Sequence, residues 1–153
     1  MSTQKRFIPE EEALAILEKG SHGVLCTVSP GGEPYGVPLN YYYAKEENSI
    51  VFHCAKAGRK LDNIRTNSKV AFTVVGFEDV IAQKTTTYYE SAIAFGDAQI
   101  VTDEKEKADK LIILCEKYGT TDANIKASLA KYLPATEVVK IQVQKITGKR
   151  NKR

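Results

Sequence analysis

The chain has 153 residues, 42% hydrophobic and 27% charged, with no apolar run near the roughly 18 residues of a membrane-spanning helix, so it is neither a disordered chain nor a helical membrane protein. The size is that of one ordinary domain with a single core. Its formal charge is +3, but the terminal KITGKRNKR (145–153) holds five cations and no acid; without those five the rest carries −2, which is not the basic face that nucleic-acid binding needs.

The start, MSTQKRFIPEEEALAILEKG, has no apolar h-region, so a secretory signal is not expected and the cytoplasm is the expected compartment. Residues 10–19 read as a helix with Ala13, Leu14, Ile16 and Leu17 on one side and Gly20 as its stop. GVLCTV (23–28) is β-rich, and SPGGE after it is a hairpin connection. PYGVPLNYYYA (34–44) and SIVFHCA (49–55) are the next two strands, joined by a polar turn at 45–48. A short helix over about 58–67 turns Leu61 and Ile64 inward, and KVAFTVVG (69–76) is another strand. Residues 77–87 have no clear period and read as a loop before a long strand at 88–101. The spacing of Asp103 and Glu106 fits a capping box for a helix over 103–118, with Ala108, Leu111, Ile112, Cys115 and Tyr118 as its apolar stripe. A shorter helix covers about 122–132, and EVVKIQVQKIT (137–147) is a last alternating strand. The basic tail after it, about 148–153, is expected to fray.

With no repeat, low-complexity tract or linker, residues 1–153 are expected to form a single domain. Tight strand connections near the beginning favour an antiparallel meander over βαβ units. Six strands with few helices suggest a small, partly open barrel plugged by helices.

Several features point to a site. Pro38 interrupts an apolar strand and removes a ladder donor, which marks an edge or a bulge and frees backbone groups at Val37 and Leu39 for a ligand. On 88–101 one face reads Ala92, Ala94, Gly96, Ala98; it lies either under a helix, at a subunit interface or along a flat ligand. In FHCAKAGRKLDNI (52–64), Lys56, Arg59 and Lys60 crowd a helix start, where the dipole disfavours cations by about 0.3–1 kcal/mol each. Either they are solvated or an anion sits among them. Gly58 permits close backbone approach, and Arg and Lys at a helix N-terminus suit a terminal phosphate monoester. Neither GxxxxGK[ST] nor GxGxxG is present, so among phosphate ligands one carried by a flat, non-Rossmann cofactor fits better. His53 is either a structural histidine or part of the chemistry, and His22, in a GSHG loop, leans to the structural side. Cys26, Cys54 and Cys115 are widely spaced and form no metal-ligand pattern; Cys54 beside the cations keeps a reactive-thiol alternative open.

In order and spacing, GVPLNYYY, FHCAKAGRKLDNIRTNSKVAF and SAIAFGDAQIV resemble the FMN-binding split-barrel proteins related to pyridoxamine 5'-phosphate oxidase, most of all the Nim-type (nitroimidazole-resistance) branch. The resemblance implies a six-stranded antiparallel split barrel of Greek-key type, a homodimer, and FMN in clefts between the subunits. It implies that Arg59 and Lys60 hold the FMN phosphate and that Val37, Pro38, Leu39 and Asn40 lie along the isoalloxazine ring. It also places His53, Cys54, Ala55 and Asn63 at the cofactor, with His53 as a proton donor and Lys149 reaching toward the site. The implied activity is an FMN-dependent oxidoreductase that takes electrons from NAD(P)H and reduces a small flat acceptor such as a 5-nitroimidazole. Two alternatives stand beside it: a haem-binding or haem-degrading split barrel with His53 as axial ligand, and a non-enzymatic flavin-binding module.

Overall fold

The computed structural model describes residues 3–152, and within them the chain forms eight strands and four α-helices around one curled antiparallel sheet. The strands are β1 (Phe7–Ile8), β2 (His22–Val28), β3 (Pro34–Asn40), β4 (Tyr42–Ala44), β5 (Ser49–Ala55), β6 (Lys69–Ile81), β7 (Thr86–Ile100) and β8 (Thr136–Asn151). The helices are α1 (Glu10–Lys19), α2 (Arg59–Thr66), α3 (Glu104–Lys117) and α4 (Asp122–Tyr132). The sheet order is β3-β2-β6-β7-β8-β5-β4, and β1 adds to β8. Consecutive strands β3 and β4 therefore occupy opposite ends of the sheet, with Tyr41 alone between them. One residue cannot span an open sheet, so the sheet must curl until its ends meet. This is the split barrel.

Tyr41 is where the strand expected over 34–44 breaks and the expected meander is cut. Its side chain is fully buried, and its hydroxyl donates to the Leu17 carbonyl. Its backbone is served by α3 rather than by a ladder. The Tyr41 N–H donates to the Tyr118 hydroxyl, and its carbonyl accepts from Lys117 Nζ at 2.7 Å. Lys117 Nζ also reaches the Gly20 carbonyl at 2.6 Å and lies 4.1 Å from the centre of the Tyr41 ring. Burial lowers the Lys117 pKa.

Helix α1 starts at Pro9, whose φ of −58° suits a helix entry, with Glu10, Glu11 and Glu12 in the dipole-favoured first turn, and it stops at Gly20. It buries Ala13, Ile16 and Leu17 inside the curl. There it packs closely, since a Cβ on Gly148 would come within 2.8 Å of the Ala13 Cβ. The main core holds Leu17, Leu25, Tyr41, Ile50, Phe52, Phe72 and Ile141, and Ala92, Ala94 and Ala98 face into it. The small face of β7 thus lies inside, under α1. A second core under α3 contains Tyr42, Val51, Leu111, Leu114 and Val138. Alternation along β5 feeds both layers: Ile50 and Phe52 go to the barrel, and Val51 goes to the α3 side.

Three expectations are corrected. Residues 77–87 are not a loop, because β6 continues to Ile81 and β7 begins at Thr86 around a short 3₁₀ turn at Ala82–Lys84. Residues 76–80 are all exposed, so no buried face imposes a period of two. The basic tail does not fray through residue 152. Lys149 pairs with Ser91 and Phe7, and Arg150 forks between Glu90 (3.0 Å) and Glu12 (2.9 Å); Arg153 lies outside the described residues. The stripe of α3 is rotated as well. Its buried residues are Lys107, Lys110, Leu111 and Leu114, while Ile113 is exposed. Lys110 can be buried because Glu47 on the β4–β5 turn meets it at 3.0 Å. Asp103 does cap α3, accepting from the Glu106 N–H at 2.8 Å, but the Glu106 carboxylate turns to Lys140 (3.0 Å) instead of closing the box.

Candidate functional site

Helix α2 is positioned from behind. Leu61 and Ile64 sink into the core, and the buried Asn63 amide donates to Thr27 Oγ1 on β2 at 2.9 Å. Asn63, expected at the cofactor, is thus an anchor in this fold. The helix begins at Gly58, whose φ of +153° is a conformation that side chains other than glycine rarely adopt, and nothing lies within 4 Å of where its Cβ would be. The helix start therefore faces open space.

Around that space the cations are arranged rather than merely solvated. The Arg59 guanidinium stacks 4.6 Å from the Tyr35 ring centre and pairs with Glu33 at 3.0 Å. Neither Tyr35 nor Glu33 was legible as a site residue, since both come from the β2–β3 hairpin and meet Arg59 only through the fold. Lys60 is half-buried, while Lys56 is exposed on the bend before the helix. The arrangement fits a phosphate: a guanidinium fork held flat by an aromatic ring, a second cation, and free N–H groups of a first helical turn. A carboxylate of the chain itself already occupies part of the fork.

Cys54 lies just before this corner. Burial pushes its thiol pKa up, partly countered by Lys60 and Arg65, so it is a protonated thiol and the reactive-thiol alternative loses its basis. Val37 and Leu39 are half-buried and pack against the main core, while Pro38 lies exposed on β3, paired with Val24. β3 ends the sheet order, which is where Pro38 belongs. Ala55 closes β5, opposite Thr136.

His53 follows Val51 on the α3 side of β5 and looks into a cavity of about 380 Å³ between the sheet and helices α3 and α4. Asn40, at the end of β3, reaches the same cavity, and its amide donates to the Ser21 carbonyl at 3.1 Å. The residue is exposed overall: protein lies against the imidazole on its inner side, and the cavity leaves the rest open. Burial lowers its pKa. His53 is therefore a neutral imidazole at neutral pH, suited to donating a hydrogen bond more than a proton. The unfolded chain takes up a proton on this group at about pH 6.5; the folded chain does so only at lower pH. His53 thus contributes stability that is complete above the unfolded value and lost as pH falls from there through the folded value. Urea midpoints should fall between pH 7.5 and 5.5, and His53→Gln should flatten that slope; an unchanged slope would count against a desolvated imidazole.

Lys149 does not join this group within one chain. It pairs beside Phe7, thirteen residues along β8 from Thr136, about 40 Å of strand at roughly 3.3 Å per residue. His22 is exposed, and among the described residues no cluster of His, Cys, Asp or Glu could hold a metal ion. No helix among them is long and apolar enough to cross a membrane.

The family model for pyridoxamine 5'-phosphate oxidase matches residues 9–150. No curated protein matches the sequence. Solved structures share the fold. A candidate 5-nitroimidazole antibiotic resistance protein from Bacteroides thetaiotaomicron is 22% identical, with a TM-score of 0.72 over 94% of this chain and 85% of its own. A FAD- and haem-binding protein from Mycobacterium smegmatis is 19% identical, with a TM-score of 0.79 over 99% and 73%. A FAD-binding protein from Mesorhizobium loti is 16% identical, with a TM-score of 0.67 over 96% and 98%.

Proposed function

The chain belongs to the pyridoxamine 5'-phosphate oxidase family, and on that footing we propose that it is an FMN-dependent oxidoreductase that reduces a small flat acceptor, with a nitroaromatic such as a 5-nitroimidazole as candidate and NAD(P)H as donor. The observation that carries the reading is Arg59, stacked on Tyr35 at the open start of α2 with a carboxylate already in its fork. Arg59 and Lys60 would hold a terminal phosphate, which favours FMN over a cofactor with no free phosphate end. The backbone of edge strand β3 around Pro38 would border the ring, and the His53 N–H would orient the acceptor. Arg59, Lys60 and the β3 backbone would hold FMN, which would supply hydride and electron transfer; the chain would supply binding, orientation and exclusion of water.

The homodimer belongs to the same proposal. Val24, Val75 and Phe95 are exposed on the outer face of β2, β6 and β7, an apolar surface suited to a second copy. Light scattering of the eluted protein would give a dimer mass; a monomer holding flavin would remove the shared-cleft part of the reading.

The haem alternative keeps one supporting observation, the neutral His53 imidazole facing an apolar cavity. The visible spectrum of the purified protein separates the readings. Flavin bands with FMN released on denaturation support the proposal, a Soret band supports haem, and a colourless protein that takes up neither overturns both. Bound flavin without turnover of NAD(P)H and any acceptor would leave a flavin-binding module.

Glu33 competes for the Arg59 fork. Glu33→Gln is expected to leave stability within about 1 kcal/mol, because the pair is exposed, and to tighten FMN binding by a few-fold. Weaker binding would mean that Glu33 supports the cofactor instead of opposing it.

A further inference from the structure

We propose that the cavity between β5 and helices α3 and α4 is a binding pocket for an uncharged, largely apolar small molecule, and, resting on the flavin reading above, that it seats the acceptor. Its volume, about 380 Å³, falls within the roughly 300–1,000 Å³ typical of small-molecule sites. Leu111, Leu114, Leu129 and Leu133 supply an apolar helix side, while His53 and Asn40 stand on the sheet side. No acidic residue, lysine or arginine lines it.

That absence selects the ligand. A charged group placed against the cavity's leucines would lose hydration with no counter-charge in return, so the lining favours an uncharged guest over an anion. The phosphate cations, Arg59 and Lys60, do not reach the cavity lining. The lining therefore offers nothing to hold the phosphate of pyridoxamine 5'-phosphate, the substrate that names the family. His53 supplies direction: its imidazole has no hydrogen-bond partner among the described residues, so it is free to hold one polar atom of a guest.

The helix side is also incompletely buried without a guest. Helix α4 buries only Ile125, and Leu129 and Leu133 stay half-buried at the cavity wall. An apolar guest would complete their burial.

The test titrates the 153-residue protein, as purified, with 4-nitrobenzyl alcohol and with 4-nitrobenzoate. Amide chemical shifts report affinity and location, and visible absorbance reports flavin in the same samples. The neutral alcohol is expected to bind at least about ten-fold more tightly than the anion, with shifts in α3, α4 and β5. Leu129→Trp, which fills the cavity, should weaken the alcohol about ten-fold with flavin content unchanged, and Ser128→Arg should raise affinity for the anion. Should the tryptophan variant not fold, the cation introduced at half-buried Ser128 carries the test. Equal affinity for the two probes, or a folded Leu129→Trp or Ser128→Arg protein with unaltered binding, overturns the pocket. Yellow protein with no selective binding overturns the pocket and leaves the flavin reading. Colourless protein that takes up no added FMN and still selects the alcohol overturns the flavin reading and keeps the pocket.

Discussion

Arg59→Ala combined with Lys60→Ala is expected to yield a folded protein that purifies colourless and does not retain added FMN. Hydrogen bonds to charged groups contribute about 1.5–3 kcal/mol each, and Arg59 is half exposed, so the lower figure applies. Two such losses are about 3 kcal/mol, roughly a hundred-fold in affinity. The same change should scarcely touch the fold. The Arg59–Glu33 pair is an exposed one, worth about 1 kcal/mol at most. Removing two cations from a helix start also relieves a dipole penalty of about 0.3–1 kcal/mol each. Circular dichroism and thermal midpoints near wild type, with flavin absent, are the expected pair of results. Full flavin content in the double variant would sink the phosphate assignment.

The largest loss of stability is expected from Gly96→Ala. Gly96 sits at the irregular step between β7 and β8, and a Cβ there would fall onto the Gln142 carbonyl oxygen, with the carbonyl carbon at 2.8 Å. The obstacle is backbone, which no rotamer change removes. Overpacking of this kind costs about 3 kcal/mol or more, and a chain of this size loses roughly 2–4 °C in midpoint per kcal/mol. Gly31→Ala, where the nearest atom is the Ser29 hydroxyl at 3.9 Å, serves as the neutral comparison. A midpoint for Gly96→Ala equal to that of Gly31→Ala would show that the two strands can separate locally.

Which parts of the molecule were legible follows from how local their causes are. The bounds of α1 and α4, Glu10–Lys19 and Asp122–Tyr132, match the sequence reading because their start and stop signals lie within a few residues. The outer arm of the β6–β7 hairpin was illegible because residues 76–80 bury neither face and so carry no alternation. The face of α3 was misread because Lys107 and Lys110 read as solvent-facing, whereas Glu47, sixty-three positions before Lys110, supplies the charge that lets it turn inward. The tail was misread for a similar reason: Arg150 is held by Glu12 and Glu90, neither of which is near it in sequence.

The candidate site divides in the same way. Arg59 and Lys60 stood out in the sequence because they violate a local electrostatic rule, and a violation is visible without knowing its neighbours. The alternation of β5 likewise sets His53 on the opposite face from Cys54, a consequence of the period of two that every strand carries. What those residues meet is another matter. Tyr35 under Arg59, Glu33 in its fork, Thr27 behind Asn63 and the leucines across from His53 all arrive from other elements. Their approach depends on the sheet curling until β3 and β4 join at Tyr41, a closure set by pairings between residues far apart in the chain. Short-range propensity and charge therefore settled the bounds of α1 and α4 and flagged the anion corner. Long-range pairing alone decided that the barrel closes and that a neutral cavity opens beside His53.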